Sequence, residues 1–163
     1  MAYLFFIITF FFMEFVAWFT HKYVMHGFLW NLHRDHHTRD NEGILEKNDA
    51  FFLIFATPSI LLILTGTLYS FTIPLAIGIG IAAYGTAYFL VHDVLIHQRI
   101  KWFRRSSNFY TKAIRKAHKV HHKKLGREDG ECFGMLLVPL RYFKEEKGSQ
   151  KSKNQKKTTW DFR

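Results

Sequence analysis

The chain has 163 residues, 48% of them hydrophobic and 18 of them Phe, with a formal net charge of +10, ten histidines and one cysteine. That length leaves room for a single domain, and the lone Cys132 excludes an intrachain disulfide and a cysteine-ligated cluster. Mean hydropathy is close to zero because a greasy portion offsets a basic one, so where the charges lie decides between nucleic acid and an anionic lipid surface as their partner.

Residues 2–20 are apolar apart from Glu14 and two threonines. At ~1.5 Å per residue they reach across a ~30 Å hydrocarbon layer, so a spanning helix is expected. They lack a positive leader and an A-x-A-like cleavage site, so the segment is expected to stay attached. Glu14 is anomalous inside a bilayer and should face a protein interior. Residues 28–49 are polar with aromatic punctuation and predict a short interfacial helix followed by a loop turned by Gly43. Ala50 to Val91 holds no formal charge, is too long for one span and right for two, with a tight turn near residues 70–73 and Pro58 inside the first. Gly78, Gly80, Ala82, Ala83 and Gly85 let the second approach a neighbouring helix closely.

Residues 98–128 are basic and aromatic, a composition that suits an anionic lipid surface beside spanning helices and argues against nucleic acid. After Gly134 the apolar run MLLVPLRYF is expected to dip toward the bilayer or pack over the functional site. The reading is thus all-α: an integral membrane domain over residues 1–143 with three spanning helices and short interfacial ones, then a disordered basic tail over 144–163. All 23 Lys and Arg fall on one side of this topology, which by the positive-inside rule is cytoplasmic, with the C-terminus.

All ten histidines lie in four blocks on that same side. The blocks are His21-x4-His26, His33-x2-His36-His37, His92-x4-His97 and His118-x2-His121-His122. Positions i, i+3 and i+4 share one helical face, so each triplet can serve one cavity. The x4 pairs converge only where a helix bends, widens or ends, which predicts helix ends near His26 and His97, and Gly27 supports such a break. Asp35, Asp49 and Asp93 lie close enough in sequence to orient imidazole N–H groups, and Glu14, seven residues before His21, shares its helical face. Eight to ten imidazoles exceed the needs of one tetrahedral zinc, and HExxH is absent, so two irons fit better. A nitrogen-rich iron pair beside a hydrophobic cavity suits O2 activation and attack on an unactivated C–H bond.

The four-block pattern resembles the membrane fatty acid hydroxylase and sterol desaturase superfamily. The surrounding words are closer still: HKYVMHGFLWNLHRDHH with LEKND, FLVHDVLIHQR and KAHKVHHKKLGREDGECFG resemble the bacterial-type beta-carotene 3-hydroxylases over residues 15–143. The segment Glu131 to Leu137 departs from that family's wording, and the lysine-rich tail lies outside the likeness.

The resemblance implies a bacterial cytoplasmic-membrane monooxygenase that hydroxylates the beta-ionone rings of beta-carotene at carbon 3, through cryptoxanthin to zeaxanthin. Two non-haem irons, O2 and electrons from a ferredoxin-type donor are implied, with His21, His26, His33, His36, His37, His92, His97, His118, His121 and His122 as ligands. Alternatives are a carotenoid ketolase, a fatty acid or sterol hydroxylase, and, outside the enzymes, a membrane metal transporter, an electron carrier or a lipid-surface scaffold.

Overall fold

A computed structural model describes residues 1–38, 45–103, 106 and 108–149. Its first helix, α1 (Ala2–Phe19), runs on into a widened π-helical segment, Thr20–Phe28. α2 (Trp30–Thr38) follows, then α3 (Ala50–Leu68) and α4 (Thr72–Phe89), and α4 continues as a second π-helical segment, Leu90–Ile96. α5 spans Phe109–His121, and a last helix, α6, covers residues 140–149. No strand occurs among the described residues.

Three stretches, Ala2–Phe28, Lys47–Leu68 and Thr72–Ile96, are long and apolar enough to cross a membrane. Only 6%, 17% and 22% of their apolar windows are buried within the chain, so lipid has to cover the rest and the protein is a membrane protein. α3 runs through Pro58 and returns into α4 by a turn in which Ser70 takes φ 56°.

Because lipid gives helices no hydrophobic reason to associate, close backbone approach has to hold this bundle. A Cβ at Gly66 would lie 2.6 Å from the Leu75 nitrogen, and one at Gly78 would lie 2.9 Å from both the Ile63 nitrogen and the Ser59 carbonyl. Ser59 also donates its hydroxyl to the Gly78 carbonyl at 2.8 Å. Gly80 brings α4 against Thr9 and Phe6 of α1. Below that contact Met13, Ala17 and Tyr84 form a small core on which Leu136 packs.

α5 begins where the Asn108 side chain accepts the Thr111 N–H at 2.7 Å, a standard N-cap. Its Ala113, Ile114 and Ala117 face is buried with Val138 and Tyr142, while Lys116 and Lys119 stay outside. The basic segment is therefore amphipathic, with its inner face packed on protein. α6 carries helix through residues 144–149, the beginning of the stretch expected to lack order, and Lys116 pairs there with Glu145 at 2.6 Å. The tail beyond residue 149 and the Gly43 turn lie outside the described residues.

Candidate metal centre

The i, i+5 spacing of the two x4 pairs finds its partner in the backbone. A π-helical turn closes i→i+5 hydrogen bonds and so stacks residues five apart. His97 N–H donates to the His92 carbonyl at 2.9 Å in this way. The paired rings end with centroids 5.3 Å apart for His21 and His26 and 4.5 Å for His92 and His97. Gly27, at φ −104° and ψ −124°, breaks the first segment. His97 is the capping residue of the second.

Eight of the ten histidines are buried; His97 and His122 are partly so. Nitrogens of His21, His26, His33, His37 and His121 lie within 4.8 Å of one another, as do those of His36, His97, His118 and His122. His92 stands beside the second group, its Nε2 3.1 Å from that of His36. Both groups therefore draw on early and late blocks, and they touch where the rings of His37 and His122 stack at 4.5 Å.

Protonation shows what these nitrogens can do. A carbonyl only accepts, so each Nδ1 bonded to one carries the hydrogen: His21 to Phe133 (3.0 Å), His26 to Arg127 (3.1 Å), His37 to Lys124 (3.1 Å) and His121 to Glu131 (2.8 Å). His33 Nδ1 likewise meets Asn48 Oδ1 at 2.7 Å. Their Nε2 atoms are then bare lone pairs, yet they face each other at 3.3 Å for His26 and His121 and at 3.2 Å for both His21–His33 and His37–His33.

A shared proton between such pairs would need an imidazolium, which burial disfavours. Burial pushes His37 down to about 3 and His121 to about 4, and drives His33, His118 and His122 lower than an ordinary imidazole. What relieves facing lone pairs is a cation. Two nitrogens bound at ~2.1 Å to one ion near right angles stand ~3 Å apart, matching these separations. In the second group His97 and His118 bring their Nε2 atoms to 2.8 Å, and the buried His122 Nε2 has no hydrogen-bond partner. The donor set thus fits two nitrogen-ligated metal ions. A porphyrin admits two axial nitrogens, and convergence of four or five excludes a haem here.

The acids expected to orient imidazoles are distributed unevenly. Asp93 meets His92 Nδ1 at 3.2 Å. Asp49 instead pairs with Arg99 at 2.8 Å, and Asp35 accepts the Lys47 N–H at 2.7 Å. Glu14 accepts the Tyr84 hydroxyl at 2.7 Å and the N–H groups of Met135, Leu136 and Leu137 at 3.0–3.1 Å. It reaches the histidines only through the chain, since the strap it pins, residues 131–137, also contains Phe133 and Glu131, the carbonyl partners of His21 and His121.

A Cβ at Gly134 would run into the Leu137 carbonyl, so that position admits the strap's bend. Phe133 closes one wall, with its ring 5.4, 5.1 and 5.3 Å from those of His21, His26 and His121. Phe133 thus covers the histidines just before Gly134, and the run after Gly134 takes the first of its two expected courses, descending along α1, where Leu137 remains 70% exposed. Sequence reading missed Glu46, which takes His36 Nδ1–H at 2.7 Å, and Asn48. Both sit in the LEKND word, three and one residues before Asp49.

The fatty acid hydroxylase family matches residues 6–140. The chain is 43% identical over 128 residues to a beta-carotene hydroxylase of Pseudescherichia vulneris, covering 77% of this chain and 70% of that one. It is 41% identical over 127 residues to a beta-carotene hydroxylase of Pantoea ananas, at 78% and 71% coverage. Over 130 residues it is 36% identical to the chloroplastic beta-carotene hydroxylase 2 of Capsicum annuum, covering 78% of this chain and 41% of that protein. No solved structure matches.

Proposed function

Since the chain belongs to the fatty acid hydroxylase family, we propose that it is a membrane oxygenase that hydroxylates the rings of beta-carotene at carbon 3, using two non-haem irons. The observation that carries this reading is the convergence of facing, unprotonated imidazole nitrogens on two points at the end of a membrane bundle, joined to the identity with beta-carotene hydroxylases. All ten histidines are assigned as ligands. Bound iron would supply O2 activation, chemistry that protein side chains lack.

The chain's own residues do the rest. Backbone carbonyls of Lys124, Arg127, Glu131 and Phe133 fix the tautomer and tilt of their histidines, so that Nε2 always faces inward. Phe133 and Trp30, whose ring lies 5.1 Å from that of His26, wall the first group with apolar surface and keep water away. Because the histidines sit at the ends of α1 and α4, a rod-like polyene lying among lipid chains presents its end ring there, and placement of one ring carbon supplies the selectivity. The sequence has no dinucleotide fingerprint, so reducing equivalents come from a partner of the ferredoxin type, and the lysines of α5 suit an acidic one. The same charges orient the site and C-terminus toward the cytoplasm, against anionic lipid.

The test is to incubate membranes containing the full chain with beta-carotene, O2 and a reduced ferredoxin, then identify the products. Cryptoxanthin and zeaxanthin are expected. A 4-keto product, or oxidation of acyl chains alone, would overturn the assignment.

A further inference from the structure

The two groups of histidines are backed by different chemistry. Around His21, His26, His33, His37 and His121 every recorded Nδ1 acceptor is neutral: four backbone carbonyls and the Asn48 amide oxygen. In the other group two histidines donate to carboxylates, His36 to Glu46 at 2.7 Å and His92 to Asp93 at 3.2 Å.

These two acids belong to one brace. The Glu46 N–H donates to Asp49 at 3.0 Å, Asp49 pairs with Arg99 at 2.8 Å, and Arg99 pairs with Asp93 at 2.7 Å. The ring closes where the Nε2 atoms of His36 and His92 meet at 3.1 Å. Three carboxylates and one guanidinium leave two formal negative charges behind one half of the centre, while among the described residues no carboxylate accepts from a histidine of the other half. Arg99 holds Asp49 and Asp93 in place without neutralising Glu46, whose oxygen is the shorter of the two contacts to an imidazole.

The geometry points to an unequal pair of metal positions, in which Glu46 strengthens the hold of the His36, His92, His97, His118 and His122 half on its ion. This rests on the two-metal reading above. A carboxylate accepting from Nδ1–H pushes electron density toward Nε2 and raises the basicity of that nitrogen, whereas a neutral amide or carbonyl does so less. Glu46 is a positioning residue, since it acts on the ion through His36. Asn48, two residues on, has the matching place toward His33 in the neutral half, so one short turn addresses both positions.

Two single-charge swaps separate the halves. Glu46→Gln keeps an acceptor for His36 and removes the charge, and Asn48→Asp keeps an acceptor for His33 and adds one. The detergent-solubilised full chain, stripped of metal, is titrated with Zn2+ against a chromophoric chelator. The wild-type chain should take two ions in two resolved steps; fewer than two would defeat the two-metal reading itself. Glu46→Gln should weaken one step by ~10–100-fold, the usual cost of losing such a partner, and leave the other in place. Asn48→Asp should strengthen the step that Glu46→Gln spares. Glu46→Gln weakening both steps equally or neither, or Asn48→Asp acting on the same step or on none, overturns the inference even where two ions bind. Should Glu46→Gln not fold, Asn48→Asp decides by itself: tightening of the weaker wild-type step supports the inequality, and any other result overturns it.

Discussion

Along the spanning bundle, α1, α3 and α4 meet through Gly66, Gly78 and Gly80, where the nearest atoms are backbone and aliphatic carbon. At the histidine end of the same helices the contacts are ring nitrogen to carbonyl, amide and carboxylate, each with one acceptable direction. The bundle asks of its residues mainly that they be small or apolar, and many sequences satisfy that. The histidine end asks for one atom at one place. Tolerance to substitution should therefore fall steeply from the far end of the helices to α2, α5 and the strap.

Breaking the demanding end has the largest expected effect. His36→Ala removes a ring whose Nε2 faces His92 and whose Nδ1 meets the brace. Product formation should fall at least ~100-fold, the upper end of what loss of a mere orienting partner costs, as read by chromatography of carotenoids from membranes. Chain accumulation should stay normal. A comparable blow to the bundle needs overpacking. Gly78→Leu forces side-chain atoms into Ile63 and Ser59 and should cost ~3 kcal/mol or more, seen as loss of folded, monodisperse chain in detergent.

Glu14→Gln tests the join between the two regions. It leaves one good acceptor for four donors, so the strap should loosen by ~1.5–3 kcal/mol, the range for a charged hydrogen bond. Amide exchange at Met135 to Leu137 should quicken before exchange in α3 or α4. The metal-free chain should also lose stability as pH falls below ~6.5, the ordinary histidine value. His37 and His121, held at about 3 and about 4, stay neutral in the fold while the unfolded chain takes up protons, so acid favours unfolding. The loss should level off once pH has dropped through those folded values, and denaturant titrations at stepped pH would trace it. At the tolerant extreme, Ile79→Leu on α4, 44% exposed to the lipid side, should change stability by less than ~0.5 kcal/mol.

The same contrast explains what the sequence made legible. Spans of bilayer length and the hairpin at residues 69–71 follow from hydropathy, because lipid imposes a length on any helix that crosses it. Spacing of the x4 pairs demanded a widened or broken helix, and the π-helical segments supply it. Placement of the orienting acceptors was opaque, since four of them are main-chain carbonyls between Lys124 and Phe133, and a carbonyl has no sequence signature. Among the acids, sequence position did not discriminate: Asp35, inside a histidine block, accepts the Lys47 N–H and Asp49 binds Arg99, while Glu46, ten positions after His36, accepts from its ring.

Counting metal in the purified, detergent-solubilised chain tests the two-ion centre most directly. Two ions per chain are expected, with one lost when His121 of the neutral half is replaced by Ala and one lost when His118 of the charged half is replaced. A wild-type chain carrying one ion or none, or a His118, His121 double replacement that still holds two, would contradict it.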